Sequence, residues 1–251
     1  MHFHWKNYLW AGFLLTTILF LGGADGSGCG GKNLFESMGD DNSKEAKVEK
    51  ARIAVDKKEY PAAIQTLEEL CGTVLTSPTC DPGIVSLYAS AYAGSAGLNV
   101  FNLIAEGANR LESPDSSFTL FSSHFAAATS QEVGDMNNAL ILLKAIPSQA
   151  PRTPDQGLQL ALTSTSHLVM TLGTLTNGYD PTSGKPTAIP SDIPAVAAAL
   201  PVVQADTGSM GTGLNESGIA SEKIGSHISQ IQTKLSNADA AGIIDFLSKI
   251  Q

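Results

Sequence analysis

Aromatic side chains and positive charges are scarce in this chain of 251 residues. Aromatic residues make up 6% of the sequence, so alanine, leucine and isoleucine supply most of its apolar mass, and this favours close helix packing over a β-sandwich. The 15 cationic residues stand against 24 acidic ones, which gives a formal net charge of −9. A chain this acidic repels a phosphate backbone, so nucleic acid is not an expected partner.

Long apolar runs are also missing. The apolar stretch at residues 8–21 carries no charge and has 14 residues, whereas a membrane-spanning helix needs about 20. It follows Lys6 and the free amine and precedes the small residues of 22–28, which is the three-part layout of a signal peptide. We therefore predict that residues 1–28 are a cleaved signal peptide and that the remaining chain is exported.

Cysteine is limited to three residues. Export leads to an oxidising compartment, and Cys71 and Cys80 are close enough in sequence to pair, so we expect a disulfide between them. One disulfide uses two of the three cysteines. Cys29 is therefore left for a different role.

The segment before Cys29 resembles the lipobox of bacterial lipoproteins, in which a leucine and two small residues precede a cysteine. Residues 26–29 read Gly-Ser-Gly-Cys, so glycine stands in the place of leucine. The resemblance implies that Cys29 carries lipid, that cleavage occurs before it, and that palmitate-type acyl chains hold the protein on a membrane. In such lipoproteins an aspartate directly after the cysteine signals retention in the inner membrane. This chain has Gly30 there, which implies an outer-membrane anchor with the domain facing the periplasm.

The alternative is cleavage by the ordinary signal peptidase after Ala24, because residues 22–24 form a small-x-small site. The protein would then be soluble in the periplasm or secreted, and Cys29 would be a free thiol. In either case residues 29–43, which are glycine-rich and then polar, are predicted to be a flexible tether.

From residue 44 the apolar residues recur with the 3.6 period of helices. The first helices resemble tetratricopeptide repeats (TPR). The residues that carry this resemblance, which match the repeat-packing positions, are Tyr60, Ala63, Ile64, Ala89 and Tyr92. Lys58 stands where the repeat has its turn glycine. The resemblance implies an all-α fold in which antiparallel helix pairs stack as a TPR-like solenoid over residues 44–176.

The later helices have no clear repeat phase. A fourth helix carries Phe101, Ile104, Ala108 and Leu111 as its apolar stripe. Residues 177–190 are rich in Gly, Pro and Thr and are predicted to be an irregular loop, and Pro194 and Pro201 bracket a short alanine-rich helix. Residues 207–213 are predicted to be flexible. We expect residues 177–251 to pack, as a loop plus C-terminal helices, on the same domain.

No residue pattern indicates a catalytic site. Beyond the signal peptide there are three histidines, His124, His167 and His227, and none lies in a zinc-binding motif. No cofactor and no metal are expected, and an enzyme is not expected. A phenylalanine stripe at residues 118, 121 and 125 fits core packing better than a ligand groove.

The sequence leaves two functions open. The first is a non-enzymatic binding module, because stacked helix pairs offer a surface to proteins of the cell envelope. The second is a solute-handling lipoprotein that resembles the accessory components of TRAP-type transporters, with an apolar pocket or pore for a small molecule. The partner, the oligomeric state and the number of true repeats do not follow from the sequence. It also leaves open whether the anchor lies in the inner or the outer membrane, and whether residues 191–251 pack on the repeats or stand apart.

Overall fold

The computed structural model describes residues 43–109, 113–146, 150–220 and 222–251. Over these ranges the chain is all-helical, with ten α-helices and no strand, so the expected all-α class is confirmed. Asp41–Gln251 forms one compact unit. The helices are α1 Lys44–Asp56, α2 Tyr60–Cys71, α3 Pro82–Ser95, α4 Val100–Gly107, α5 Pro114–His124, α6 Ser130–Ala145, α7 Pro154–Leu175, α8 Ile193–Ser217, α9 Lys223–Leu235 and α10 Ala240–Ile250.

Polar residues begin most of these helices because a short side chain can bond a backbone N–H that has no partner within the helix. Thr129 and Thr153 each form a reciprocal capping box, with Glu132 and Gln156 respectively. A single side-chain cap precedes five further helices, at Ser43, Asn99, Ser113, Asp192 and Asp239. Residues at or next to each of these helix starts therefore determine where the helix begins.

The first three helices pack in sequence order, α1 on α2 and α2 on α3. In a solenoid of successive pairs, α3 would next pair with α4. The structure places α3 against α6, with a 2.8 Å hydrogen bond from Ser95 Oγ to Asp135, while α4 packs against α5 and α9. A TPR-like solenoid is therefore not confirmed.

Helix α7 lies at the centre of the molecule. Its residues 160–170 are all buried, and it packs against α5, α6, α8 and α9. Helix α8 runs antiparallel to it, with Gly213 close to Gly157 and Ala161. A Cβ at Gly213 would meet the α7 backbone, so the glycine allows the two helices to approach closely.

The predicted break and flexible segment at residues 201–213 are wrong, because α8 continues through both. Pro201 removes one backbone N–H, and the carbonyl that loses this partner belongs to Ala197. Both residues are exposed, so solvent can satisfy that carbonyl. The glycines of 207–213 stay helical because α8 is held against α7.

Residues 177–190 are non-helical as predicted, but they form a defined loop. Tyr179 and Pro186 make an isolated β-bridge, and the Tyr179 hydroxyl donates to the Val169 carbonyl at 2.7 Å. Burial raises the pKa of Tyr179 well above its usual value. At the loop tip, hydrogen bonds from Ser183 lower the pKa of the Asp180 carboxyl. Side-chain and backbone bonds thus replace regular secondary structure here.

Candidate interaction surface

The predicted lipidation residue Cys29, the signal peptide and most of the tether lie outside the described residues. Among the described helices, none has both the length and the hydropathy needed to cross a bilayer.

Cys71 and Cys80 form a disulfide with a Cα–Cα distance of 4.7 Å. Both cysteines are buried, at the end of α2 and just before α3. The bond closes the connection between these helices, and the exposed Val74 lies within the closed loop. This bond therefore fixes the α2–α3 connection.

The five TPR-like positions lie on α2 and α3, which pack against each other. Ala63 and Ala89 are fully buried, while the other three are partly buried. The Tyr60 ring covers Gly94 so closely that a Cβ there would clash with it. Gly94 therefore allows the Tyr60 ring of α2 to approach the backbone of α3 closely.

The three histidines lie apart, each beside a different polar side chain. His124 Nε2 lies 3.4 Å from Glu106 Oε1, His167 bonds Asp206, and His227 bonds Ser117. Over the described ranges, no group of three His, Cys, Asp or Glu side chains is arranged to hold a metal ion.

The His167–Asp206 pair joins the two central helices. His167 Nδ1 lies 2.8 Å from Asp206 Oδ2, and both side chains are more than nine-tenths buried. The buried hydroxyls of Thr163 and Ser166 lie on the same helix and have no hydrogen-bond partner among the described residues. These groups resemble a catalytic pair in type, but none of them lines one of the three surface clefts described below. We interpret the pair as a buried link between α7 and α8.

Helix α4 is held from one side. Its buried residues are Leu103 and Gly107, and Gly107 lies close to Leu120 of α5. His227 on α9 bonds the Gly107 carbonyl through Nε2 at 3.0 Å and Ser117 Oγ through Nδ1 at 2.7 Å. Two helices and a buried histidine therefore fix the orientation of α4.

The opposite side of α4 exposes an apolar surface. It consists of Phe101, Ile104, Ala105 and Ala108, which are spaced i, i+3, i+4 and i+7 along one face, and we call it the α4 apolar face. Phe101 is 67% exposed and Ile104 is 40% exposed. The predicted stripe of this helix comprises Phe101, Ile104, Ala108 and Leu111, of which Leu111 lies outside the described residues, and an apolar helix stripe is expected to face a core. The buried residues of α4 are instead Leu103 and Gly107. Because Gly107 has no side chain, no apolar residue at that position indicated which face of the helix is buried.

The described residues also line three shallow clefts. One of about 330 Å³ lies between the α5–α6 connection and the end of α7, and Phe125, Met170, Thr174 and Asn177 are among its lining residues. A smaller one of about 120 Å³ contains His124 and Glu132, and a third lies against α1. Phe118 and Phe121 are fully buried in the core, so the phenylalanine stripe contributes only Phe125 to a cleft.

Comparison with known proteins identifies no relative: no protein-family model, curated protein or solved structure matches the chain.

Proposed function

We propose that this chain is a membrane-anchored lipoprotein whose helical domain binds other proteins of the cell envelope. The observation that carries the binding part is the α4 apolar face, where Phe101 is 67% exposed on a helix fixed from its other side. Exposed large apolar side chains on a fixed helix are typical of helix-in-groove recognition, which uses the i, i+3, i+4 and i+7 positions. Lipid on Cys29 would hold this surface at the outer membrane, in the periplasm. The contact of the Tyr60 ring on α2 with Gly94 on α3 supports a helix-pair scaffold.

The anchor is tested by the intact mass of the native protein extracted from membranes, beside a Cys29→Ser variant. We expect the mass of residues 29–251 plus three acyl chains and glycerol, and we expect the variant to lack them. An unmodified chain beginning at Asp25 would refute the anchor.

The binding part is tested by placing a photo-crosslinking amino acid at Phe101 in the native, membrane-bound chain. Val74 provides the matched control, since it is 60% exposed but lies in the disulfide-closed loop. We expect crosslinks to a protein from position 101 and none from position 74. Equal yields from both positions, or none from either, would contradict a binding role for α4.

A second candidate function is solute handling, which the 330 Å³ cleft favours because its volume lies at the low end of small-molecule sites. Thr174 is exposed at this cleft, so Thr174→Trp would fill it without disturbing the core. Thr212→Trp on α8 is the control, because Thr212 is also exposed on a helix. Native mass spectrometry should find a small molecule that Thr174→Trp loses and Thr212→Trp keeps. Native protein without any bound molecule would rule this function out.

A further inference from the structure

Positive charge is concentrated on helix α1 and the turn that follows it. Residues 44–58 contain six of the chain's 15 basic residues and only three acidic ones, whereas the whole chain has a formal net charge of −9. The rest of the chain is therefore strongly acidic. A charge difference of this kind orients a protein in front of a charged surface.

Half of these basic side chains are already paired. Three of them form ion pairs within the domain: Lys44 with Asp81, Lys47 with Glu69, and Arg52 with Glu49. The other three are Lys50, Lys57 and Lys58, which are all exposed. Their ammonium groups bond no other residue in the part of the chain that the structure describes. These three lysines are therefore available to an anionic partner.

The available lysines surround an exposed isoleucine. Lys50, Ile53 and Lys57 are spaced i, i+3 and i+7, which places them in one row on the solvent side of α1, and Lys58 follows directly. Ile53 is 45% exposed. We call these four residues the α1 basic face. The acidic residues of α1 lie in the adjacent row of the helix: Glu45, Glu49 and Asp56.

We propose that the α1 basic face docks on an anionic lipid surface, with its lysines at the lipid phosphates and Ile53 in the headgroup region. Each lysine close to such a surface strengthens binding by about fivefold. Lysine side chains are long enough to keep their charge at the phosphates while the neighbouring isoleucine reaches deeper. The acidic remainder of the domain is repelled by the same lipids, so the domain should approach them with α1 first.

The place of α1 in the chain supports a lipid partner. This step rests on the proposed function, from which it takes the lipid on Cys29. Residues 30–43 separate that anchor from α1, and a chain of this length spans at most about 50 Å. Anchoring therefore gives the lipid surface a high effective concentration in front of a face that is too small to bind firmly from solution. Docking then fixes the orientation of a domain that the anchor alone would leave free to turn.

Tryptophan fluorescence tests the docking, because the chain's two tryptophans, Trp5 and Trp10, lie in the predicted signal peptide. Ile53→Trp places a single reporter in the processed chain, and Thr212→Trp is its control, since Thr212 is exposed on α8. Each processed chain is anchored to vesicles that contain phosphatidylglycerol or to vesicles of phosphatidylcholine alone. Its own lipid provides the anchor, and an unacylated chain is coupled through the Cys29 thiol to a maleimide lipid.

We expect the emission from position 53 to shift to shorter wavelength on phosphatidylglycerol vesicles only, and the emission from position 212 to stay unchanged. In the Ile53→Trp chain, Lys50→Gln/Lys57→Gln should lower the ratio of docked to free domains by about thirtyfold. Lys144→Gln/Lys234→Gln removes the same charge from exposed lysines of α6 and α9 and should leave that ratio unchanged. Added salt should release the domain, because it screens the lysines.

Four results would overturn the proposal: no shift at position 53 on phosphatidylglycerol, an equal shift on phosphatidylcholine, an equal shift at position 212, or an undiminished shift in Lys50→Gln/Lys57→Gln. No shift on vesicles, combined with a position-53 photo-crosslink to a protein in native membranes, would assign the face to an acidic protein and overturn the lipid partner. An unacylated Cys29 refutes the anchor of the proposed function, whereas the coupled chain still measures docking, so the two failures are distinguishable.

Discussion

At the scale of single residues, the buried His167–Asp206 pair should matter for stability. Asp206→Ala leaves a buried imidazole nitrogen without its partner, and an unsatisfied buried polar group costs about 2 kcal/mol. We expect the free energy of unfolding, measured by urea denaturation, to fall by that amount. Asp206→Asn keeps an oxygen acceptor at 2.8 Å and should cost much less.

The matched control for this pair is Asp245→Ala. Asp245 pairs with Lys249 at 2.6 Å, but both side chains are exposed, and exposed ion pairs contribute little to stability. We expect a change near zero in the free energy of unfolding. If Asp206→Ala were as mild as Asp245→Ala, the interpretation of the buried pair as a link between α7 and α8 would be wrong.

A second residue-scale prediction concerns Lys58, whose φ of 62° places it in the left-handed region. Lysine is strained there by about 1 kcal/mol, whereas glycine is not. In the resemblance to the TPR motif, Lys58 stands at the position of the turn glycine. Lys58→Gly should raise the free energy of unfolding by about 0.5–1 kcal/mol.

Lys57→Gly is the control for Lys58. Lys57 is also exposed and adjacent in the chain, but its φ is −80°, so glycine relieves no strain there. Its substitution should lower the thermal midpoint slightly because it adds freedom to the unfolded chain. The same sign of change at both positions would argue against strain at Lys58.

At the scale of helices, the contact between α7 and α8 depends on one missing side chain. Gly213→Ala would push a Cβ into the α7 backbone and should lower the thermal midpoint markedly. Gly208→Ala lies on the same helix with nothing within 4 Å of its Cβ, so there the change should stabilise by up to about 1 kcal/mol. Calorimetry of both variants checks the pair, and stabilisation by Gly213→Ala would contradict the close approach.

The disulfide acts on the connection between α2 and α3. Its cysteines are nine positions apart, and closing a loop of this length contributes about 2–3 kcal/mol. We expect the double variant Cys71→Ala/Cys80→Ala to lose this amount in urea denaturation. Reductant should destabilise the native chain similarly and leave the double variant unchanged. Equal midpoints for native and variant proteins would show that the bond contributes nothing.

Local signals in the sequence mark where several helices begin. Tyr60–Cys71 and Pro154–Leu175 begin at prolines or caps that act within one turn, and their apolar periods are clear. Contacts between helices determined the conformation of segments that lack such local signals. Residues 207–213 look flexible because their glycines have low helix propensity, yet packing against α7 keeps them helical.

The exposure of the α4 apolar face was missed for a related reason. An apolar stripe predicts a buried face only when a neighbouring helix covers it, and nothing in the stripe itself indicates which side that helix takes. Here Gly107 marks the covered side, because α5 and α9 approach most closely where a side chain is absent. Phe101 and Ile104 are therefore left outside.

At the scale of the whole molecule, the arrangement around α7 differs from a solenoid. In a solenoid every repeat contacts only its neighbours, so stability is spread evenly and the ends open separately. Here α7 packs against four helices, whereas α1 packs mainly against α2 and α3. Burial is correspondingly uneven: residues 160–170 are all buried, while α1 buries only Ala51 and Ala54.

Amide hydrogen exchange should report this difference directly. We expect the amides of residues 160–170 to exchange only through global unfolding, because opening α7 would expose the centre of the core. Amides of α1 should exchange by local opening, with a smaller dependence on urea. Reductant releases the α2–α3 connection and should speed exchange in α1 and α2 before it affects α7. Equal protection of α1 and α7 would mean that the unit unfolds as one cooperative body. A smooth gradient of amide protection along the chain would instead support a solenoid.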